Sequence, residues 1–187
     1  MEPNELLDIM HIVTKLKAVV RHCATDENRM ESVADHCFSM AFMAMLIEDH
    51  FQDLDMHKVI CMCLIHDLGE AFTMDIPTFI KTKEDEDKEF EIYLSWVKEL
   101  PVDIRDHFTS LIEEMNALKT REAKLYKALD KMDALIAHNE SDISTWLPLE
   151  YDLQYTYGKK ECSFDPFIQS LRDAIDEQTS QKIKSGK

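Results

Sequence analysis

The feature that most limits how this chain can fold is a run of seven consecutive apolar residues, 59–65, followed directly by His66 and Asp67. A run that is apolar on every side predicts a helix at the centre of a helical bundle. A charged aspartate placed directly after such a run needs a compensating partner if it is buried, and a metal cation is one such partner. The run therefore predicts a central helix with a polar site at its end.

The rest of the chain also favours helices, because only 3 glycines and 5 prolines occur among its 187 residues and material for many turns and strands is scarce. Apolar residues recur every three or four positions, which is typical of amphipathic helices. The pattern predicts a first helix from Leu6 to near Arg21 or His22, a loop at 24–28, a second helix capped by Ser32, a third capped by Asp53 or Asp55, an ordered loop at 76–80, a charged helix beginning within 81–91, helices at 102–115, 120–138 and 166–183, and an irregular stretch after Asn139. We predict an all-α, single-domain bundle over residues 1–187.

The net charge is strongly negative, at −16 from 37 acidic and 21 basic residues. Such a field repels the phosphates of DNA and RNA, so polymeric nucleic acid is a poor partner. The same field opposes a small phosphorylated substrate unless a metal ion or a few well-placed cations act locally. Negative charge alone therefore does not exclude a phosphate site.

The five cysteines are odd in number and lie mostly in apolar helical stretches, which predicts reduced thiols and a cytoplasmic protein. Cys61 and Cys63 lack a second cysteine pair, so we interpret them as packing residues rather than metal ligands. No apolar run approaches the roughly 20 residues of a membrane span, and the first residues lack the positive charge of a signal peptide. We expect no membrane partner.

Four residues are candidate metal ligands: His36, His66, Asp67 and Asp130. Imidazole nitrogens combined with carboxylate oxygens suit one divalent cation of the Mn, Co, Fe or Mg class better than thiolates would. Facing helices of a bundle can hold such a set. An octahedral ion with four protein ligands keeps about two positions for water and a substrate oxygen, as hydrolysis requires.

Glu70 is the candidate for handling the water proton. It follows His66 by four residues and Asp67 by three, so continuation of the helix would project all three side chains from one side. Asp75 could protonate a leaving alkoxide or hold a sugar hydroxyl. Simpler interpretations exist, since a lone histidine is more often packed than ligating, Glu70 could be an exposed helical charge, and Asp133 fits a helix face or a residue that supports a ligand.

The order of these motifs resembles that of the HD-domain 5′-deoxynucleotidases, the bacterial enzymes and their eukaryotic relatives. The resemblance covers about residues 6–140, which we take as the motif-bearing core, and leaves a C-terminal helical extension without a motif. It rests on Glu31-Ser32-Val33-Ala34-Asp35-His36, His66-Asp67-Leu68-Gly69-Glu70-Ala71, Asp75-Ile76-Pro77-Thr78 and Leu129-Asp130-Lys131. The resemblance implies an HD fold, a homodimer, and hydrolysis of deoxyribonucleoside 5′-monophosphates with a divalent cation. It gives the ligand role to His36, His66, Asp67 and Asp130, and a catalytic role to Glu70.

The resemblance also implies substrate contacts. Arg21 matches the arginine that orients the phosphate, and a guanidinium fork can hold two phosphate oxygens. The nucleotide-contacting loop matches Asp75, Ile76, Pro77 and Thr78, and Lys81 could add a cation at the entrance. His22 stands where the bacterial enzymes tend to have tryptophan, and Met74 replaces a glycine often found before the loop aspartate. The first departure could alter the contacts with the nucleoside, and the second could change how Asp75 is presented.

Two alternatives stay open from the sequence. One is another HD phosphohydrolase. A site for nucleoside triphosphates would need additional lysines or arginines near the metal, and a binuclear site for cyclic nucleotides would need additional histidine ligands. No lysine or arginine cluster surrounds the motifs, and only His107 falls between the HD pair and Asp130. A non-catalytic helical module that keeps the metal as a staple would not need Glu70 beside the open positions.

Overall fold

The computed structural model describes residues 1–25 and 29–186. Ten helices follow one another in this part of the chain: α1 Pro3–Lys15, α2 Val33–Leu46, α3 Met56–Ile65, α4 Glu70–Thr73, α5 Lys83–Lys98, α6 Val102–Ala117, α7 Arg121–Glu140, α8 Glu150–Thr156, α9 Lys159–Cys162 and α10 Pro166–Ser185. Single 3-10 turns lie at Glu48–His50 and Ile143–Thr145. The predicted helical bundle is confirmed. None of these helices combines the length and the apolar character needed to traverse a bilayer.

A two-stranded antiparallel hairpin interrupts the helices near the N-terminus, formed by β1 (Val20–Ala24) and β2 (Met30–Ser32). The prediction that the first helix reaches Arg21 or His22 is therefore wrong, because α1 ends at Lys15 and both residues lie on β1. Backbone amides at the start of α2 bind carbonyls that a longer α1 would have used: Val33 N donates to Val19 O at 2.9 Å and Ala34 N to Leu16 O at 3.3 Å. Of the loop predicted at 24–28, residues 26–28 lie outside the described part.

The helix starts follow from local capping. Ser32, Asp55, Thr82, Thr120 and Asp165 each accept a hydrogen bond from a backbone amide in the first turn of the helix that follows. These side chains satisfy amides that have no partner within the helix. The predicted caps at Ser32 and Asp55 are confirmed.

The most enclosed helix is α7 rather than α3. Leu125, Leu129 and Met132 on α7 have no exposed surface, and this helix contacts α2, α3, α6, α9 and α10. On α3, Val59, Met62 and Cys63 are fully buried, but Leu64 is 47% exposed. The expectation that α3 is surrounded on every side is therefore wrong, because one side of it faces solvent.

The stretch after Asn139 is more ordered than we predicted, since it contains α8 and α9. Gly158 separates them with a positive φ of 72°, and a Cβ at this position would lie 2.5 Å from Lys131 Cβ on α7. Only glycine allows both this backbone conformation and this approach. The C-terminal segment can therefore lie directly against the central helix.

Candidate functional site

Three separate elements bring the predicted ligands together. His36 lies in the first turn of α2, Asp130 lies in the middle of α7, and His66 and Asp67 lie in the turn that follows α3. The expectation of one continuous helix from His66 to Glu70 is wrong in detail, because α3 ends at Ile65, whose carbonyl accepts a hydrogen bond from Tyr93 Oη at 2.8 Å. His66 keeps helical dihedral angles, so the chain still turns in the same sense toward Glu70 at the start of α4.

The ligand atoms lie within a few ångströms of one another. One atom each from His36, His66 and Asp67 fall within 4.8 Å of each other. Asp67 Oδ2 is 3.0 Å from His66 Nε2 and 3.8 Å from His36 Nε2. Asp130 Oδ1 is 3.5 Å from His36 Nε2 and 4.0 Å from His66 Nε2, so it borders this trio without being part of it.

The hydrogen bonds of the two imidazoles use their Nδ1 atoms, so each Nε2 atom carries an unprotonated lone pair. His36 Nδ1 is 2.6 Å from Asp133 Oδ2, and His66 Nδ1 is 3.0 Å from the carbonyl oxygen of Cys63. Both partners are acceptors, which places the proton on Nδ1 in each ring. His66 Nε2 is buried and makes no hydrogen bond within the described residues. Two lone pairs facing two carboxylates repel one another unless a cation lies between them, so these residues fit a metal ion.

Two lysines of α7 bind the far oxygen of Asp130. Lys127 Nζ is 2.8 Å and Lys131 Nζ is 3.3 Å from Asp130 Oδ2, while Oδ1 faces the imidazoles. The charges of Arg21 and Lys81 also act on Asp67, so four cations lie around the ligand cluster formed by His36, His66, Asp67 and Asp130. The interpretation that the motifs lack a cation cluster is therefore wrong. Arg21 and Lys81 are distant in sequence from Asp130 and are brought near it by the fold, whereas Lys127 and Lys131 flank Asp130 in the sequence.

Glu70 is almost completely buried, at 3% exposure, and its Oε2 has no hydrogen-bond partner in the described part of the chain. Burial and the nearby carboxylates of Asp67, Asp75 and Glu89 raise the pKa of Glu70 to about 10, although Lys81 opposes the shift. At that pKa Glu70 holds a proton when no cation is bound. A cation held by the neighbouring residues would offset the carboxylate charges and lower the pKa of Glu70, so that its ionised form could accept a proton. The simpler interpretation of Glu70 as an exposed helical charge is wrong.

A cavity of roughly 870 Å³, including its open mouth, is lined by residues near the ligand cluster, but neither the four predicted ligands nor Glu70 line it. Arg21 and Asp75 link the two regions, because both line the cavity and both feel the charge of Asp67. The part nearest the cluster is bordered by Arg21 and Asp75. Burial and the charge of Asp67 raise the pKa of Asp75, while Arg21 lowers it. Arg21 Nη1 also donates to Glu31 Oε2 at 3.0 Å, which fixes the guanidinium.

The predicted substrate residues divide into two groups. Arg21, His22, Asp75, Pro77 and Thr78 line the cavity, whereas Ile76 and Lys81 do not. Lys81 Nζ instead lies 2.8 Å from Glu89 Oε2 and 3.9 Å from Glu70 Oε1. It therefore faces the carboxylates beside the ligand cluster rather than the cavity.

Met74 keeps the backbone conformation expected of the glycine it replaces. Its φ of 67° and ψ of 161° are sparsely populated for any residue with a side chain. This conformation ends α4 and turns the chain toward Asp75. The departure from glycine therefore places a side chain on a strained stretch of backbone.

Sequence reasoning missed the wall that the C-terminal segment adds to the cavity. This wall comprises Glu150, Leu153, Gln154 and Tyr157, and it faces His138 of α7. Tyr157 Oη accepts from Lys131 Nζ at 2.6 Å and lies 3.3 Å from Thr78 Oγ1 across the mouth. The sequence signal was weak: a cluster of aromatic and polar residues after Asn139 that matches no motif.

The comparisons with known proteins agree with this geometry. The HD domain family profile matches residues 13–172. The human protein named 5′-deoxynucleotidase HDDC2 is 30% identical over 166 residues, which are 87% of this chain and 76% of that protein.

Solved structures share the fold. A predicted metal-dependent phosphohydrolase from Magnetospirillum magnetotacticum superposes with a TM-score of 0.78 at 22% identity, covering 96% of this chain and 93% of that one. An HD phosphohydrolase from cyanophage S-2L, DatZ, solved with dA and one catalytic Zn²⁺ ion, gives a TM-score of 0.61 at 18% identity, with coverages of 94% and 96%. The helical bundle, the His-Asp cluster and the profile match together establish that this chain belongs to the HD-domain family.

Proposed function

We propose that this protein is a metal-dependent 5′-deoxynucleotidase that converts deoxyribonucleoside 5′-monophosphates to deoxynucleosides and phosphate. The observation that carries the proposal is the pair of imidazole lone pairs turned toward Asp67 and Asp130, near a cavity that Arg21 and Asp75 line. The similarity to the human protein of that name supports the same activity. The motif-bearing core and the C-terminal extension act as a single HD domain, because both contribute to the cavity wall.

His36, His66, Asp67 and Asp130 would hold one divalent cation. When bound, this ion supplies a Lewis acid for the phosphoryl group and makes a coordinated water more acidic. Mixed nitrogen and oxygen donors fit the Mn, Co, Fe and Mg class, and the Zn²⁺ named for the cyanophage relative adds zinc to the candidates.

The protein's own residues handle the protons and the phosphate. Glu70 accepts a proton from the attacking water, whose oxygen forms the new bond to phosphorus while the bond to the sugar O5′ breaks. Asp75 donates a proton to that leaving oxygen, consistent with its raised pKa. Arg21 holds phosphate oxygens through its guanidinium. Pro77, Thr78 and His22 contact the nucleoside, Ile76 supports their loop, and Lys81 adds positive charge beside Glu70.

The function is tested by phosphate release from deoxy- and ribonucleoside mono- and triphosphates and from cyclic nucleotides. The protein is first stripped with a chelator and then reloaded with single metals. Release from 5′-deoxymonophosphates alone is expected. Release from triphosphates instead would favour the second candidate function, for which the clustering of Arg21, Lys81, Lys127 and Lys131 is the supporting observation.

Glu70→Gln separates catalysis from a purely structural metal site. The amide cannot accept the proton, so we expect turnover to fall by about 100-fold or more while metal content by elemental analysis stays near that of wild type. Glu91→Gln on the exposed side of α5 is the matched control. Full activity of Glu70→Gln would remove the proposed role. Wild-type protein that holds a stoichiometric metal ion but hydrolyses none of the substrates would favour the non-catalytic alternative, in which the metal only holds the fold together.

A homodimer is part of the proposal. Phe38, Phe42, Met45 and Leu46 of α2 are exposed by 46–67%, and they form an apolar surface on one helix. The same apolar surface on α2 of a second copy of this chain can cover it without burying a charge. Sedimentation equilibrium should give twice the mass of the chain. For the Phe42→Glu variant it should give the mass of a single chain, because the glutamate would place a charge in the interface.

The proposed compartment is the cytoplasm, supported by five free thiols in the described residues. The proposed partners are nucleotides, not nucleic acid polymers or membranes, because the charge of −16 repels extended phosphates. Cell fractionation and filter binding to DNA and RNA check these two statements.

A further inference from the structure

At the end of the cavity away from the ligand cluster, the hydrogen-bond donors are paired but one acceptor has no partner in the described part of the chain. His138, Glu150 and Gln154 meet there, together with the apolar side chains of Leu135 and Leu153. Glu150 and Gln154 are 4% and 2% exposed. Polar groups this deeply buried are normally hydrogen-bonded. An unpaired donor or acceptor among them therefore indicates which hydrogen-bonding group a ligand must supply.

The donors at this end are already used. His138 Nδ1 is 3.0 Å from the carbonyl oxygen of Ala134, and His138 Nε2 is 3.0 Å from Glu150 Oε1. Both partners are acceptors, so both ring nitrogens donate. His22 Nε2 lies 3.4 Å from the same Glu150 oxygen, and Glu150 Oε2 accepts from Leu147 N at 2.6 Å.

Gln154 leaves an acceptor unpaired. Its Nε2 donates to the carbonyl oxygen of Leu135 at 3.4 Å, which identifies the other amide atom as oxygen. That Oε1 is buried and has no hydrogen-bond partner among residues 1–25 and 29–186. Arg172 Nη2 donates to the backbone carbonyl oxygen of Gln154 at 2.7 Å, which holds the backbone of this residue in place.

We infer that Gln154 is a specificity-determining residue whose amide oxygen accepts a hydrogen bond from an exocyclic amino group of the nucleotide base. The inference rests on the proposed function and names a preference within it. Adenine and cytosine carry such an amino group on the edge opposite the sugar. Hypoxanthine and uracil carry a carbonyl oxygen at the same place, which meets the Gln154 oxygen as acceptor against acceptor.

A mismatch of this kind costs more than a missing contact, because it leaves two acceptors buried and unpaired. Glu150 does not relieve it, since an ionised carboxylate has no hydrogen to donate to a carbonyl oxygen. The cavity therefore selects amino bases over their oxo counterparts.

The test uses pairs of substrates that differ only by amino-to-oxo exchange: dAMP against dIMP, and dCMP against dUMP. We expect kcat/KM to be about tenfold or more higher for the amino member of each pair, chiefly through KM. Equal kcat/KM within both pairs for the wild-type protein overturns the inference. This comparison needs no variant.

Gln154→Met removes the acceptor at similar volume and should bring each ratio toward one by restoring the oxo substrates. Gln178→Met, on the exposed face of α10, is the matched control and should leave both ratios unchanged. An unchanged ratio in folded Gln154→Met contradicts the assignment. If Gln154→Met fails to fold, the same kcat/KM ratios measured for Gln154→Leu and for the wild-type protein test the assignment.

Failure of the proposed function is distinguishable from failure of this inference. If no deoxymonophosphate is hydrolysed, the thermal shift produced by deoxyadenosine is compared with that produced by deoxyinosine. A larger shift with deoxyadenosine supports the inference without any turnover, and equal shifts contradict it.

Discussion

Asp133 determines which nitrogen of His36 faces the ligand cluster. Its carboxylate lies 2.6 Å from His36 Nδ1, is 3% exposed, and thereby keeps the proton on that side of the ring. Carboxylates in this position orient ligating imidazoles and raise their basicity.

We therefore expect Asp133→Asn to weaken divalent metal binding by about 10- to 100-fold. Titration against a competing chelator measures the effect, and Asp152→Asn on the exposed side of α8 is the control. An unchanged dissociation constant would show that Asp133 only fills space beside the ring.

Met74, directly before the predicted nucleotide-contacting loop at 75–78, has a strained backbone conformation. Replacing it with glycine relieves a conformation that costs about 1–3 kcal/mol, offset in part by the greater freedom of glycine in the unfolded chain. We expect Met74→Gly to raise the free energy of unfolding by about 1 kcal/mol. Urea denaturation measures it. Met74→Ala keeps the strain, so equal stability of the two variants would contradict this account.

At the scale of elements, α7 connects the ligand cluster to the far end of the cavity through Asp130 and His138. Burial disfavours the charged form of His138, but its hydrogen bonds with Cys23 and Glu150 outweigh burial and raise the pKa to about 10. The ordinary value is 6.5. A raised pKa in the folded state means that the folded protein holds this proton more tightly than the unfolded chain.

The stabilisation from His138 is therefore complete below about pH 6.5 and is lost as the pH rises toward 10. His138→Gln should lose a few kcal/mol, on the order of 1.4 per pKa unit at most, at neutral pH and much less near pH 10. Denaturation curves from pH 6 to pH 10 check the trend, with exposed His107→Gln as the control. A difference that is constant with pH would contradict it.

Elements with regular apolar spacing were predictable, and those defined by distant contacts were not. The stripe Leu125, Leu129, Met132 fixes α7 from sequence alone, as the cap Ser32 fixes the start of α2. The hairpin was missed because it depends on bonds from Val33 and Ala34 to the end of α1. The proximity of His36, His66 and Asp67 was predictable because the order of the motifs along the chain matches a family, whereas Gln154 belongs to no motif.

At the scale of the whole molecule, Arg172 ties the C-terminal helix to the cavity wall. It has no exposed surface, forms an ion pair with Asp176, and donates to the carbonyl oxygens of Gln154 and Tyr157. Removing one member of a buried ion pair leaves the other charge and the carbonyls unpaired.

We expect Arg172→Leu to lower the free energy of unfolding by about 3 kcal/mol or more. Lys159→Met removes an exposed partner of the same Asp176, at 3.3 Å, and should cost less than about 1 kcal/mol. Equal losses in the two variants, measured by urea denaturation, would show that burial of the guanidinium does not matter.

The cavity wall contributed by α8 lies late in the chain, after all four ligand residues. During synthesis from the N-terminus, His36, His66, Asp67 and Asp130 emerge first, and the residues that enclose the nucleoside follow. In a growing polypeptide the residues of the proposed ion-binding cluster are thus present before those that would enclose a nucleoside, and the proposed discrimination among bases has to wait until α8 has been synthesised.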